Sequence, residues 1–160
     1  MHKTLIHFSI VLLLLGLLAG CRTPALTSTP ASDPGQHQAS IPQDSALRIT
    51  GKVATEISWT EKEVQAMETV EAKSTNKQGE TETYTGVLLA HLLEAANPQA
   101  DATRLVFVAD DGSTADIALA DVQACQDCIV SFRSKGGFST VLPGFPADAQ
   151  VKGVVEIQVK

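Results

Sequence analysis

Residues 104–119 read RLVFVADDGSTADIAL. The first six form a near-continuous apolar run, the pattern of a central strand. The next four, DDGS, are turn formers, and Gly112 can supply the positive φ that such a turn needs. TADIAL then returns as a paired strand. A strand, a tight turn and a returning strand make an antiparallel hairpin.

Upstream of this hairpin, LRITGKVAT (47–55) alternates as a strand, and SWTEKEVQAM (58–67) carries a helix start. Thr60 and Glu63 fit the S/T-x-x-E capping box, so a short helix is expected from Glu61, with Val64 and Met67 on one face and Trp59 packed beneath. TVEAKST and ETETYTG flank the polar turn NKQG and read as two strands. TGVLLAHLLEAANP (85–98) has apolar residues at helical spacing, with Thr85 as the expected N-cap and Asn97-Pro98 as the stop. His91 lies in that helix with no second metal-ligating residue in pattern, which makes it a surface or interface residue. Downstream come a short helical segment, ADVQACQD (120–127), two strands IVSFRS (129–134) and FSTVL (138–142) around KGG, a loop PGFPADAQ (143–150), and a last strand in VKGVVEIQV (151–159). Strands outnumber helices and do not alternate with them. The fold class is α+β, with a mixed or mostly antiparallel sheet and a few short helices.

The N-terminus has a different character. Lys3 precedes an apolar run from Leu5 to Ala19 that is shorter than the ~20 residues a membrane span needs. A charged start, an apolar middle and small residues are the layout of a secretory signal over residues 1–20. The run ends in LLAGC, which resembles the lipobox of bacterial lipoproteins. That resemblance implies cleavage before Cys21 and lipidation of Cys21, a multi-chain anchor able to hold a protein stably at a bilayer. The protein is then expected outside the cytoplasm, tethered to the outer face of a bacterial membrane. Residues 22–45, rich in Pro, Ser, Thr, Ala and Gln, have no apolar periodicity and read as a flexible tether, with His37 a solvated residue within it. Residues 46–160 are long enough for one domain with a real core. The formal charge of −6 argues against nucleic acid as a partner and against electrostatic adsorption to anionic lipid.

Cys125 and Cys128 stand in a C-x-x-C spacing. In an exported protein a local disulfide is the leading reading. Two unpaired thiols, a redox pair or half of a metal site are the alternatives. A redox pair would want a lowered thiol pKa, and Asp121 and Asp127 flank the pair and push the other way. Zinc would need two further ligands, and there is no second C-x-x-C and no H-x-x-x-H. The chain also contains no glycine-rich phosphate loop, G-x-S-x-G or H-E-x-x-H motif.

Taken in order, LRITGKV, SWTEKEVQAM, YTGVLLAHLLEAA, LVFVADDGSTADIAL and VKGVVEIQV resemble the oxidoreductase molybdopterin-binding domain, the central domain of sulfite oxidases and related periplasmic molybdoenzymes. The resemblance covers nearly all of residues 47–160. It implies a mixed-sheet α+β fold that cradles a molybdenum–pterin cofactor, with one cysteine thiolate on the metal. In the family that cysteine lies between the first helix and the TGV segment. Here the interval is ETVEAKSTNKQGETETYTG (68–86), which has no cysteine and no histidine. It is also much shorter than in the full enzymes, which place pterin-phosphate-binding Arg and His there, and its only cations are Lys73 and Lys77.

Molybdopterin is therefore expected only on the strength of the resemblance, and no metal site is expected. Two functions follow. One is a cofactor-free module that binds a small ligand or a surface protein. The other is a molybdopterin-dependent oxidoreductase or electron-transfer component whose metal is held without cysteine. Candidate ligand-binding residues are Asp110, Asp111 and Ser113 in the DDGS turn and Arg133 and Lys135 in FRSKGG. The plainer reading of all five is solvated turn residues.

Overall fold

A computed structural model describes residues 46–75 and 79–160. The expected signal segment, Cys21, the tether with His37, and Lys77 lie outside the described residues. The chain order is β1 (Leu47–Gly51), β2 (Ile57–Trp59), α1 (Glu61–Gln65), β3 (Val70–Thr75), β4 (Thr81–Leu88), α2 (Leu89–Ala96), β5 (Arg104–Ala109), β6 (Thr114–Ala118), α3 (Leu119–Ala124), β7 (Ile129–Phe132), β8 (Phe138–Val141), a 3-10 turn (Ala147–Ala149) and β9 (Lys152–Val159).

All nine strands form one mixed sheet in the order β2-β1-β9-β8-β7-β4-β3, with β5 on the other side of β9 and β6 beyond it. β9 is the hub. It runs parallel to β1 (Ile49 opposite Ile157) and antiparallel to β5 (Phe107 opposite Ile157). Its start pairs antiparallel with β8 (Phe138 opposite Val154). The β1–β9 pair is the one parallel ladder among the described strands; the others are antiparallel.

The period of two along each strand places the core. Leu47 and Ile49, Leu105 and Phe107, Ala115 and Ile117, and Ile157 and Val159 are buried, together with Leu89, Leu92, Leu93 and Ala96 of α2 and Leu119 and Val122 of α3. A smaller cluster of Ala72, Ile129 and Val141, with Val70, Tyr84 and Leu88 against it, fills the curl where β3 comes over β8. The alternate residues of the main half form the opposite face: Arg48, Thr50, Val106, Val108, Glu156 and Gln158.

The capping box at Thr60 and Glu63 forms as expected. The Glu63 backbone N–H donates to Thr60 Oγ1 (3.3 Å) and the Thr60 N–H donates to Glu63 Oε2 (2.7 Å). These bonds to Thr60, backbone first, hold the Glu63 carboxyl below its ordinary pKa. His91 is exposed.

The expected helix over 85–96 requires correction. β4 continues through Leu88, pairing Val87 with Val130 and Leu88 with Ile129 of β7, so Thr85 is a strand residue and not an N-cap. α2 starts only at Leu89, has no side-chain cap, and receives its first-turn partner from the Cys128 carbonyl, which accepts from the Leu89 N–H (2.9 Å). The apolar run VLL suits a buried strand as well as a helix, and cross-strand pairing decides it. β2 is an element the sequence does not announce: three residues, ISW, held by pairing with β1.

Candidate functional site

The resemblance places a metal-binding cysteine between α1 and the TGV segment. In the structure that interval is the β3–β4 hairpin, six paired positions from Val70–Gly86 to Thr75–Thr81. Two pairs of its side chains bond to each other. Tyr84 Oη donates to Glu82 Oε2 (2.6 Å), which raises the Tyr84 pKa, and Thr75 and Thr81 share a hydroxyl hydrogen bond of 3.1 Å. Lys73 is exposed. No thiolate or imidazole is available in this hairpin, and among the described residues no three His, Cys, Asp or Glu side chains converge as a metal-binding group.

The glycine of the TGV segment has a structural task. A Cβ on Gly86 would run into the Val130 carbonyl oxygen and lie 2.6 Å from Ser131 Cα, so β4 and β7 can approach each other only with glycine there.

Cys125 and Cys128 are joined in a disulfide, with their Cα atoms 5.6 Å apart. The bond ties the end of α3 to β7. Cys128 is buried and its carbonyl begins α2, so the pair stabilises a junction. The closed loop is short, and chain-entropy reasoning limits its contribution to about 2 kcal/mol. The C125A/C128A variant is expected to lose no more than that amount by urea unfolding, with wild type under reductant moving to the same midpoint.

The five candidate ligand residues do not form one site. β5 runs toward the start of β9 and delivers Asp110, Asp111 and Ser113 there; the Asp110 N–H donates to the Gly153 carbonyl (2.8 Å). β7 runs the same way as β9 and delivers Arg133 and Lys135 to the other end, where Gly136 approaches Glu61 of α1. All five are exposed. Within the first turn Asp111 Oδ1 accepts from the Ser113 N–H (2.9 Å), and the hydrogen bonds from Ser113 hold Asp111 below its ordinary pKa. Gly112 takes φ 82°, the left-handed backbone expected of it. Asp111 and Ser113 are thus engaged in building the turn.

A cleft of about 350 Å³ lies elsewhere, along β6. Residues Thr114 to Ile117 make one wall and Pro146, Asp148 and Ala149 the other. Asp116 is paired with Arg104 (2.8 Å), and both side chains are half-exposed. Sequence reasoning missed this cleft because its walls are some thirty positions apart along the chain and PGFPADAQ carries no motif.

One charged pair is shielded. Glu156 on β9, with its side chain 10% exposed, accepts from Arg48 Nη2 (2.8 Å) and from Thr50 Oγ1 (2.8 Å). Burial works to raise its pKa; the bonds from Arg48 and Thr50 and the attraction of Arg48 more than offset this and hold it below its ordinary value.

Comparison with known proteins follows the same lines. The family model described as "Oxidoreductase molybdopterin binding domain" matches residues 34–159. The match begins upstream of Ala46, inside the stretch expected to be tether. Among solved structures, the sulfane dehydrogenase SoxCD from Paracoccus pantotrophus has a similar fold, with a TM-score of 0.60 and 19% identity over 73% of this chain and 38% of that one. This chain therefore spans well under half the length of that protein. No curated protein matches in sequence. The strand-rich mixed sheet, the order of its pieces and a match over most of its length agree: the chain belongs to the oxidoreductase molybdopterin binding domain family.

Proposed function

We propose that this chain is an extracytoplasmic binding module, anchored through lipid on Cys21, that keeps the molybdopterin-domain fold and works without the cofactor. The donor set carries this reading. A molybdenum–pterin group needs a soft ligand for its metal and clustered cations for its phosphate. Both cysteines of the described domain are in a disulfide, the hairpin at the ligand position has neither cysteine nor histidine, and the cleft along β6 is lined by Asp116 and Asp148. Carboxylates repel a phosphate. The residues present do not fit the group, and the ligand of such a module is instead a small molecule or a surface protein.

Family membership favours a second reading, a molybdopterin-dependent oxidoreductase or electron-transfer component with no cysteine on its metal. The two separate on pterin content. The full chain, extracted from a host that makes and exports molybdopterin, is expected to release no fluorescent pterin on denaturation and oxidation; release of one pterin per chain would establish the second reading. The anchor is tested apart from this. Cys21→Ala is expected to move the protein from the membrane to the soluble fraction, and retention in the membrane would overturn lipidation at Cys21.

A further inference from the structure

We propose that the outer edge of β6 is a docking site for an extended, basic peptide segment of a partner protein, which adds to the sheet as a further strand. The ladder between β5 and β6 leaves one row of backbone groups turned outward. The Ala109 N–H donates to the Ser113 carbonyl at one end and the Leu119 N–H to the Thr103 carbonyl at the other. In an antiparallel pair, residues that bond inward alternate with residues that bond outward. Register therefore turns Phe107–Ala115 and Leu105–Ile117 inward, and leaves the N–H and C=O groups of Thr114 and Asp116 facing away from β5. Among the described strands β6 pairs only with β5. The cleft lies along this edge, so the outward groups face a groove whose far wall is Pro146 to Ala149.

Strand addition on an exposed edge takes its affinity from main-chain hydrogen bonds and its specificity from the side chains beside the groove. Those side chains decide the occupant. Asp116 and Asp148 line the groove, Asp110 and Asp111 stand at the turn before Thr114, and among the described residues Arg104 is the one cation paired into the group. The field favours Lys and Arg on the incoming strand. It disfavours a second copy of this chain: antiparallel addition about Asp116 would set two Asp116 carboxylates across from each other, and like charges in that position are destabilising. The chain's net charge of −6 acts in the same direction.

The proposal rests on the binding-module reading only in that the domain acts by recognition; pterin content and peptide binding are measured separately, so either can fail alone. The test titrates the full chain with two fluorescein-labelled heptapeptides, one alternating Lys and Val and one alternating Glu and Val, and follows amide hydrogen exchange. The expected result is saturable binding of the Lys peptide, slowed exchange at Thr114 and Asp116, and no saturable binding of the Glu peptide. Thr114→Pro removes an outward N–H at the first position of an edge strand, where proline is tolerated, and is expected to weaken binding at least about fivefold with the fold intact by circular dichroism. Asp148→Asn is expected to weaken the Lys peptide by about threefold, the size of one exposed charge pair. Equal binding of the two peptides, protection elsewhere, or no effect of Thr114→Pro would overturn the proposal. A dimer in sedimentation velocity that Thr114→Pro dissolves would also overturn it, and would make a second copy the occupant.

Discussion

Gly86→Val is expected to cost the domain at least about 3 kcal/mol, the upper end of what overpacking alone costs, because a β-carbon there overlaps backbone rather than a side chain that could move aside. Gly86 sits between two ladders, opposite Val70 on β3 and opposite Ser131 on β7. Pushing β4 off β7 breaks the Val87–Val130 and Leu88–Ile129 pairings, and with them the position of Leu89, from which α2 starts. Ile129 and Val141 of the smaller core cluster lie beside the same seam. Urea unfolding followed by the fluorescence of the single tryptophan, Trp59, measures the loss. A variant within about 0.5 kcal/mol of wild type would mean that β4 and β7 are not packed as closely as described.

Arg48→Met is expected to cost about 2–3 kcal/mol at neutral pH. Breaking a fully buried pair typically costs ~3–5 kcal/mol, and the figure is reduced because the Arg48 side chain is 36% exposed. The pH dependence identifies the cause. In wild type the folded pKa of Glu156 is depressed, so the stability it contributes is present above the unfolded pKa and is lost as pH falls through the folded one. Without Arg48 the burial that opposes ionisation has only the bonds from Thr50 and Gln158 against it. The carboxylate is then penalised at neutral pH, and protonation relieves the penalty. The difference between variant and wild type should therefore shrink on acidification. A difference that stays constant from neutral pH to below the carboxylate range would show that Arg48 acts through packing alone.

Much of the fold is legible in the sequence because local chemistry and tertiary pairing agree in most elements. The Thr60–Glu63 box, the DDGS turn and the alternation of TADIA each specify their element without help. VLL at 87–89 is where they part. Its spacing fits the helix that follows, and only the seam with β7 assigns Val87 and Leu88 to a strand. The site is less legible, since it depends on strand order. Asp110 and Arg133 both stand at turn tips, but β5 and β7 run in opposite directions, and nothing in a linear sequence gives that. The cleft along β6 likewise appears only once Pro146 to Ala149 are brought against Thr114 to Ile117.

Among the described residues this member of a molybdopterin-binding family has no metal-binding group. Whether the chain carries molybdenum is read most directly from elemental analysis, with an absorption spectrum, of the full chain purified from a host that makes and exports the cofactor. The expected result is trace molybdenum and no visible chromophore. Stoichiometric molybdenum would contradict the cofactor-free reading and require a ligand that takes the place of the missing cysteine.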